Sequence, residues 1–186
     1  LRPRLVGGQL EASGMVEVVS SLERDGKPVF RDLRWGVYVV LEAPNDYAAA
    51  CFQQYGMNTD ETGRYSAMYK PFHLIGLELN ISILAAALLG RATGCTKAFT
   101  SDVVATAKRS LRAGEILDGE GGYTVWGKLC PAKRSIEMNA LPIGLAANLK
   151  LLHDIPKDEI VKISDVELDV TCKAFEIRRQ LTKSYT

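Results

Sequence analysis

Residues 64–90 read RYSAMYKPFHLIGLELNISILAAALLG, and the fold is decided by how this stretch is read. It opens with aromatic and basic residues and then turns almost wholly apolar. Pro71 suits the first turn of a helix, where its missing N–H is not needed. It also pushes Lys70 out of helical geometry, which places Lys70 at the helix mouth. From Phe72 onward Leu74, Ile75, Leu77, Leu79, Ile81, Ile83, Leu84 and Leu88 cover nearly every side, so the pattern predicts a buried helix. Glu78 and Ser82 share its one polar strip, and Gly90 is placed to end it. The run is short of the roughly 20 residues that a membrane span needs, and Glu78 and Asn80 interrupt it. A helix N-terminus carries partial positive charge and free N–H groups. Arg64, Lys70 and His73, interleaved with Tyr65 and Tyr69, are expected to cluster there as a site for phosphate or carboxylate.

The chain has 186 residues, 47% of them hydrophobic and 24% charged, with a net charge of +1. These values describe a folded protein of one domain or two small ones. They give no general pull toward nucleic acid or anionic membrane. Cys51, Cys95, Cys130 and Cys172 form no Cys-x-x-Cys pair, and with only His73 and His153 beside them they argue against a zinc site. Free thiols in a reducing cytoplasm are the expectation. No signal peptide is visible, and the chain starts Leu-Arg-Pro-Arg, as a fragment or processed product would.

Working outward, residues 1–14 read as an irregular lead-in and residues 15–22 (MVEVVSSL) as a strand. Asp25-Gly26 is a turn signal that could close a hairpin with residues 28–30. Trp35-Gly36 precedes residues 37–41 (VYVVL), read as a buried strand. Pro44-Asn45-Asp46 caps a short helix over residues 47–55 that Gly56 ends, and residues 58–63 (NTDETG) form a polar loop in which Asp60 and Glu61 are solvated. Strands followed by helices give an α+β layer pattern.

A boundary is expected at residues 91–94, beyond which short strands and turns take over. Here an internal repeat appears: AKRSLRAGEILDG (107–119) aligns with LLHDIPKDEIVKI (151–163), Leu111 with Ile155, Glu115 with Glu159 and Ile116 with Ile160. A duplicated strand–turn unit predicts a small all-β module with pseudo-twofold symmetry. Between the copies, DGEGGYTVWGKL (118–129) carries Gly119, Gly121 and Gly122. It is either a tight hairpin packing Tyr123 and Trp126 on the core or a functional loop. It is no dinucleotide fingerprint, since no G-x-G-x-x-G leads from a strand into a helix, and no Walker A sequence occurs. Residues 142–149 are read as a helical turn or two.

The second module, through VVATAKRSLRAGEILDG and LPIGLAANLKLLHDIPKDEIVKISDVELD, resembles the SAF or β-clip domain of sialic acid synthases, type III antifreeze proteins and altronate dehydratases. The stretches SSLERDGKPVFRDLRWGVYVV, YKPFHLIGLELNISILAAALLG and LDGEGGYTVWGKL extend the resemblance over most of residues 16–169. They are similar to bacterial homoserine-dehydrogenase-like oxidoreductases with a C-terminal SAF domain, a group that includes deoxyxylulose-phosphate-reductoisomerase-like enzymes and sugar-acid oxidoisomerases. The resemblance implies an α+β fold: residues 1–95 as a central substrate and dimerisation domain of antiparallel sheet plus helices, residues 96–186 as the SAF domain. It implies NAD(P) as cofactor, bound by an N-terminal Rossmann domain that these residues lack, with a divalent metal as an option. It further implies a phosphorylated sugar or sugar acid as the small anionic substrate, and a homodimer. Lys70, Tyr69 and His73 are then the catalytic candidates, and Arg64, Tyr65 and Glu78 the substrate-binding ones. Each has a plainer reading: Lys70 a solvated lysine, the tyrosines packed with wet hydroxyls, His73 a core histidine, Arg64 a loop cover and Glu78 the partner of a basic neighbour. A noncatalytic β-clip module that binds carbohydrate or protein is the competing reading of the whole chain.

Overall fold

The computed structural model describes residues 14, 16, 27, 37–70, 72, 74–95, 97–169 and 171–185. The expected strand over 15–22, the Asp25-Gly26 hairpin and the positions of Trp35, Pro71 and His73 lie outside them. The fold is mixed α+β, built from small antiparallel two-stranded sheets and helices. The chain divides into two compact units, Leu1–Ser13 with Glu17–Thr96 and Gly14–Val16 with Lys97–Thr186.

In the first unit, strand β1 (Val37–Glu42) pairs antiparallel with β2 (Tyr65–Lys70), Val37 opposite Lys70 and Glu42 opposite Tyr65. Between them α1 (Asp46–Gln54) starts where Asn45 Oδ1 accepts from the Ala48 N–H at 2.9 Å, the cap that the sequence predicts. The loop to β2 is folded onto Asp60, whose carboxylate accepts from the Tyr65 N–H and the Thr62 hydroxyl. It is therefore a built turn and not a merely solvated loop. Strand β2 corrects the expectation that residues 64–70 lead straight into a helix. YSAMYK alternates, and the ribbon separates Tyr65, Ala67 and Tyr69 on one face from Ser66, Met68 and Lys70 on the other.

Helix α2 (Ile75–Leu89) begins three residues later than expected, after an N-cap at Leu74 that offers no side-chain bond. Gly90 ends it at φ 62°, as a left-handed C-cap should. The expectation of burial is overturned within the single chain. Leu77, Ile81, Leu88 and Leu89 are each about two-thirds exposed or more, and Ile83 and Leu84 about half. Val37, Val39 and Met68 of the ribbon are likewise half-exposed, where a buried strand was expected. Among the described residues of this unit only Ala43, Gly63 and Ser66 are buried. Apolar periodicity reports that a surface wants cover, not which chain supplies it.

The core sits in the second unit. Strand β3 (Ser101–Ala107) pairs with β5 (Val125–Pro131), and the short β4 (Ile116–Asp118) pairs with β6 (Ala147–Lys150). Helix α3 (Ala132–Glu137) follows β5, and α4 (Lys173–Ser184) closes the chain. Leu111, Leu117, Val125, Leu141, Leu151 and Val161 are fully buried at its centre. Residues 142–149 form one 3-10 turn, the shorter of the two lengths expected, and then enter β6.

The repeat is realised as a pseudo-twofold. Leu111 and Ile155, aligned in the sequence, bond reciprocally: the Leu111 N–H donates to Ile155 O at 2.8 Å and the Ile155 N–H to Leu111 O at 2.9 Å. The bonds on either side come in equivalent pairs. Ala107 N–H donates to Glu159 O and, across the axis, Leu151 N–H to Glu115 O, both at 2.9 Å. Gly114 N–H reaches Leu151 O at 2.7 Å, and its counterpart Asp158 N–H reaches Ala107 O at 2.9 Å. Both turn residues are left-handed, Gly114 at φ 86° and Asp158 at φ 67°.

Candidate functional site

The site residues read from the sequence separate into two groups. At one end of β2, Arg64 donates to Asp46 at 2.6 Å and the Tyr65 hydroxyl to Glu42 at 3.1 Å. The hydrogen bond to the Glu42 carboxylate, reinforced by its charge, raises the Tyr65 pKa. At the other end, Lys70 Nζ donates to Glu78 Oε1, and the same ammonium lies 5.6 Å from the centroid of the Phe72 ring. A strand advances about 3.3 Å per residue, so the six steps from Arg64 to Lys70 span about 20 Å. The expected cluster of Arg64, Tyr65 and Lys70 is thus not formed. Tyr69 stands opposite Tyr38 on the face of the ribbon that Lys70 does not occupy. His73 lies outside the described residues.

What the structure does bring together is Lys70, Phe72 and Glu78. Glu78 belongs to the first turn of α2, where a carboxylate is favoured by the unsatisfied N–H groups and the helix dipole. The anion expected at this helix mouth is therefore the chain's own. The Lys70 side chain is 49% exposed and that of Glu78 29%. The pair is partly open to solvent, and the aromatic face lies beside the ammonium. An ammonium so held can polarise a carbonyl or take part in proton transfer. Asp46, Glu42 and Phe72 were not legible as site partners. Asp46 and Glu42 are 18 and 23 residues away from the side chains they bind, and no local spacing rule spans that.

The glycine-rich loop is not the tight hairpin that one sequence reading expects. Strand β4 does not pair with β5, so the loop is not a hairpin, and Tyr123 is 87% exposed instead of packed on the core. Asp118 is its hub. The carboxylate accepts from the backbone N–H groups of Tyr123 (2.5 Å) and Thr124 (3.0 Å) and from the Thr124 hydroxyl. These bonds, the Thr124 hydroxyl first, pull its pKa down to about 2. A Cβ on Gly122 would stand 2.1 Å from Asp118 Cγ, which is why glycine is required there. The N–H groups of Tyr123 and Thr124 are thus committed to this carboxylate, and that of Gly122 to Gly119 O.

No group of three or more His, Cys, Asp or Glu side chains converges as for a metal ion among the described residues. Nor is any described helix long and apolar enough to cross a membrane.

Against this geometry, residues 1–79 match the family model described as oxidoreductase DRL, catalytic domain. The matched range takes in β1, α1, β2 and the start of α2, and so includes both Lys70 and Glu78. It supports an oxidoreductase-type function for the first part of the chain. No curated protein matches the chain.

Proposed function

We propose that this chain supplies the substrate-holding part of an NAD(P)-dependent oxidoreductase acting on a phosphorylated sugar or sugar acid. The observation that carries this reading is the Lys70–Glu78 pair, at the junction of β2 and α2 and inside the stretch matched to an oxidoreductase catalytic domain. Lys70 is the cation that meets the anionic substrate or polarises its carbonyl, and Glu78 positions it until substrate arrives. Phe72 supplies an apolar wall. Tyr69, Arg64 and Tyr65 stand away from this pair and serve the ribbon instead. On this reading the hydride comes from a nicotinamide bound by a separate Rossmann domain. Residues 1–95 form the substrate and dimerisation domain, and residues 96–186 a SAF-type domain. A second copy of the chain covers α2, and four unpaired cysteines suit a reducing cytoplasm.

The test is reduction of a panel of sugar phosphates and sugar acids by the chain joined to its nucleotide-binding domain, followed by loss of NADH or NADPH absorbance. Lys70→Ala should lower turnover by about 10²-fold or more, the scale of a positioned acid–base or electrostatic group, with folding intact by circular dichroism. An active protein whose catalytic efficiency is unchanged by Lys70→Ala would remove the assignment.

A further inference from the structure

We propose that a cavity beneath α4 in the second unit binds small monocarboxylates with an apolar body, at a site separate from Lys70. The cavity measures about 320 Å³, within the range of small-molecule sites. Its floor is apolar: Ile163, Leu168 and Phe175 line it, and all three pack against the core cluster. Phe175, Arg178, Arg179 and Thr182 recur at helical spacing, so one face of α4 forms the opposite wall.

The charges around the cavity decide what it takes. Its two carboxylates are engaged. Asp169 accepts from the Thr171 N–H at 2.9 Å and the Thr171 hydroxyl at 2.5 Å; Glu176 accepts from Lys173 at 2.8 Å and Gln180 at 3.1 Å. Arg178 turns inward to Asp102. Arg179, exposed at the rim, makes no hydrogen bond or ion pair among the described residues. Lys183 also lines the cavity; with Arg178 paired to Asp102, the cations left facing it are Arg179 and Lys183, against Asp169 and a Glu176 already bonded by Lys173. A planar guanidinium with its donors available, over an aliphatic and aromatic floor, is matched by a carboxylate on a short hydrocarbon chain.

The experiment is a titration of the isotopically labelled 186-residue chain with hexanoate, with hexanol and hexylamine as controls, read by nuclear magnetic resonance. Hexanoate should shift the signals of Asn139, Ile163, Leu168 and Phe175 saturably. Hexanol and hexylamine should bind at least about tenfold more weakly, the worth of one charge-assisted contact. Arg179→Gln should weaken hexanoate by about tenfold and leave hexanol unchanged. Three outcomes would overturn the proposal: no saturation at tens of millimolar ligand, equal binding of hexanol and hexanoate, or hexanoate affinity indifferent to Arg179→Gln. Loss of activity at Lys70 bears on none of these readouts.

Discussion

Removing one side chain, Arg178, should take away a large share of the stability of the second unit. Its guanidinium donates to Asp102 Oδ2 at 2.5 Å and to Ser135 Oγ at 3.3 Å, while Ser135 donates to the same carboxylate at 2.5 Å. The side chains of Arg178 and Asp102 are only 11% and 9% exposed, and Ser135 is fully buried. Arg178 Nε has no oxygen acceptor, but the guanidinium carbon sits 5.0 Å from the centroid of Phe99, whose electron-rich face it can use. Truncating one partner of a buried pair leaves the other charge without compensation, at a cost of about 3–5 kcal/mol. Arg178→Met should therefore lower the urea midpoint by roughly 2 M, given a slope of about 2 kcal/mol per molar. Asp102→Asn keeps a bond to Ser135 but strands the cation, and should cost a comparable amount. The double variant carries no stranded charge and should recover about 2–3 kcal/mol relative to the sum of the singles. Urea titrations of all four proteins, followed by circular dichroism, give the cycle. An Arg178→Met cost below about 1 kcal/mol, the level of an exposed pair, would show that this ion pair does not lock α4 to the sheet.

The Asp118 loop should loosen in acid. Its carboxyl titrates at about 2 when folded against 3.8 otherwise, so its contribution is complete above about pH 4 and disappears as pH falls through about 2. Amide exchange at Tyr123 and Thr124 should accelerate over that window, and Asp118→Asn should abolish the dependence. At the left-handed turn of the second repeat, Asp158→Gly should be neutral or stabilising by up to about 1 kcal/mol, whereas Asp158→Val should cost about 1–2 kcal/mol, measured by thermal melting. Light scattering should give a dimer that Ile81→Lys with Leu84→Lys converts to monomer; a monomeric parent protein would refute the cover proposed for α2.

The sequence was most legible where local chemistry decides structure. Asn45 before Asp46 reads as a cap, Gly90 as a helix end, and the Leu111/Ile155 alignment as a symmetric module, and each is built that way. It was misleading where one signal has two outcomes. The apolar circumference of α2 predicts burial, yet within one chain most of its leucines and isoleucines are exposed. Pro71 signals a helix start, but the alternation of YSAMYK just before it signals the strand that carries Arg64 away from Lys70. The loop at 118–124 was judged by its glycines, when its organiser is an aspartate that precedes them. For the candidate site, Lys70 and Glu78 were both named, and the plain expectation that Glu78 pairs with a basic neighbour is what the structure shows. Their placement beside Phe72, with Arg64 and Tyr65 excluded, depended on strand register that spacing does not encode.

The pseudo-twofold also governs how the second unit is made. Each copy of the repeat takes its backbone partners from the other: Leu111 from Ile155, Ala107 from Glu159, Leu151 from Glu115. Apart from its own turn bond, Glu115 N–H to Arg112 O or Glu159 N–H to Pro156 O, each copy depends on the other for these bonds. Contacts this distant along the chain fold slowly, in milliseconds to seconds rather than microseconds. Strand β3 finds β5 early, but its other edge and Leu111 wait for Ile155, Glu159 and Val161, which come later in the chain. A chain interrupted between the repeats would expose two unpaired edges, and the partner each edge fits best is the missing half of another molecule, which is the geometry of a domain-swapped dimer.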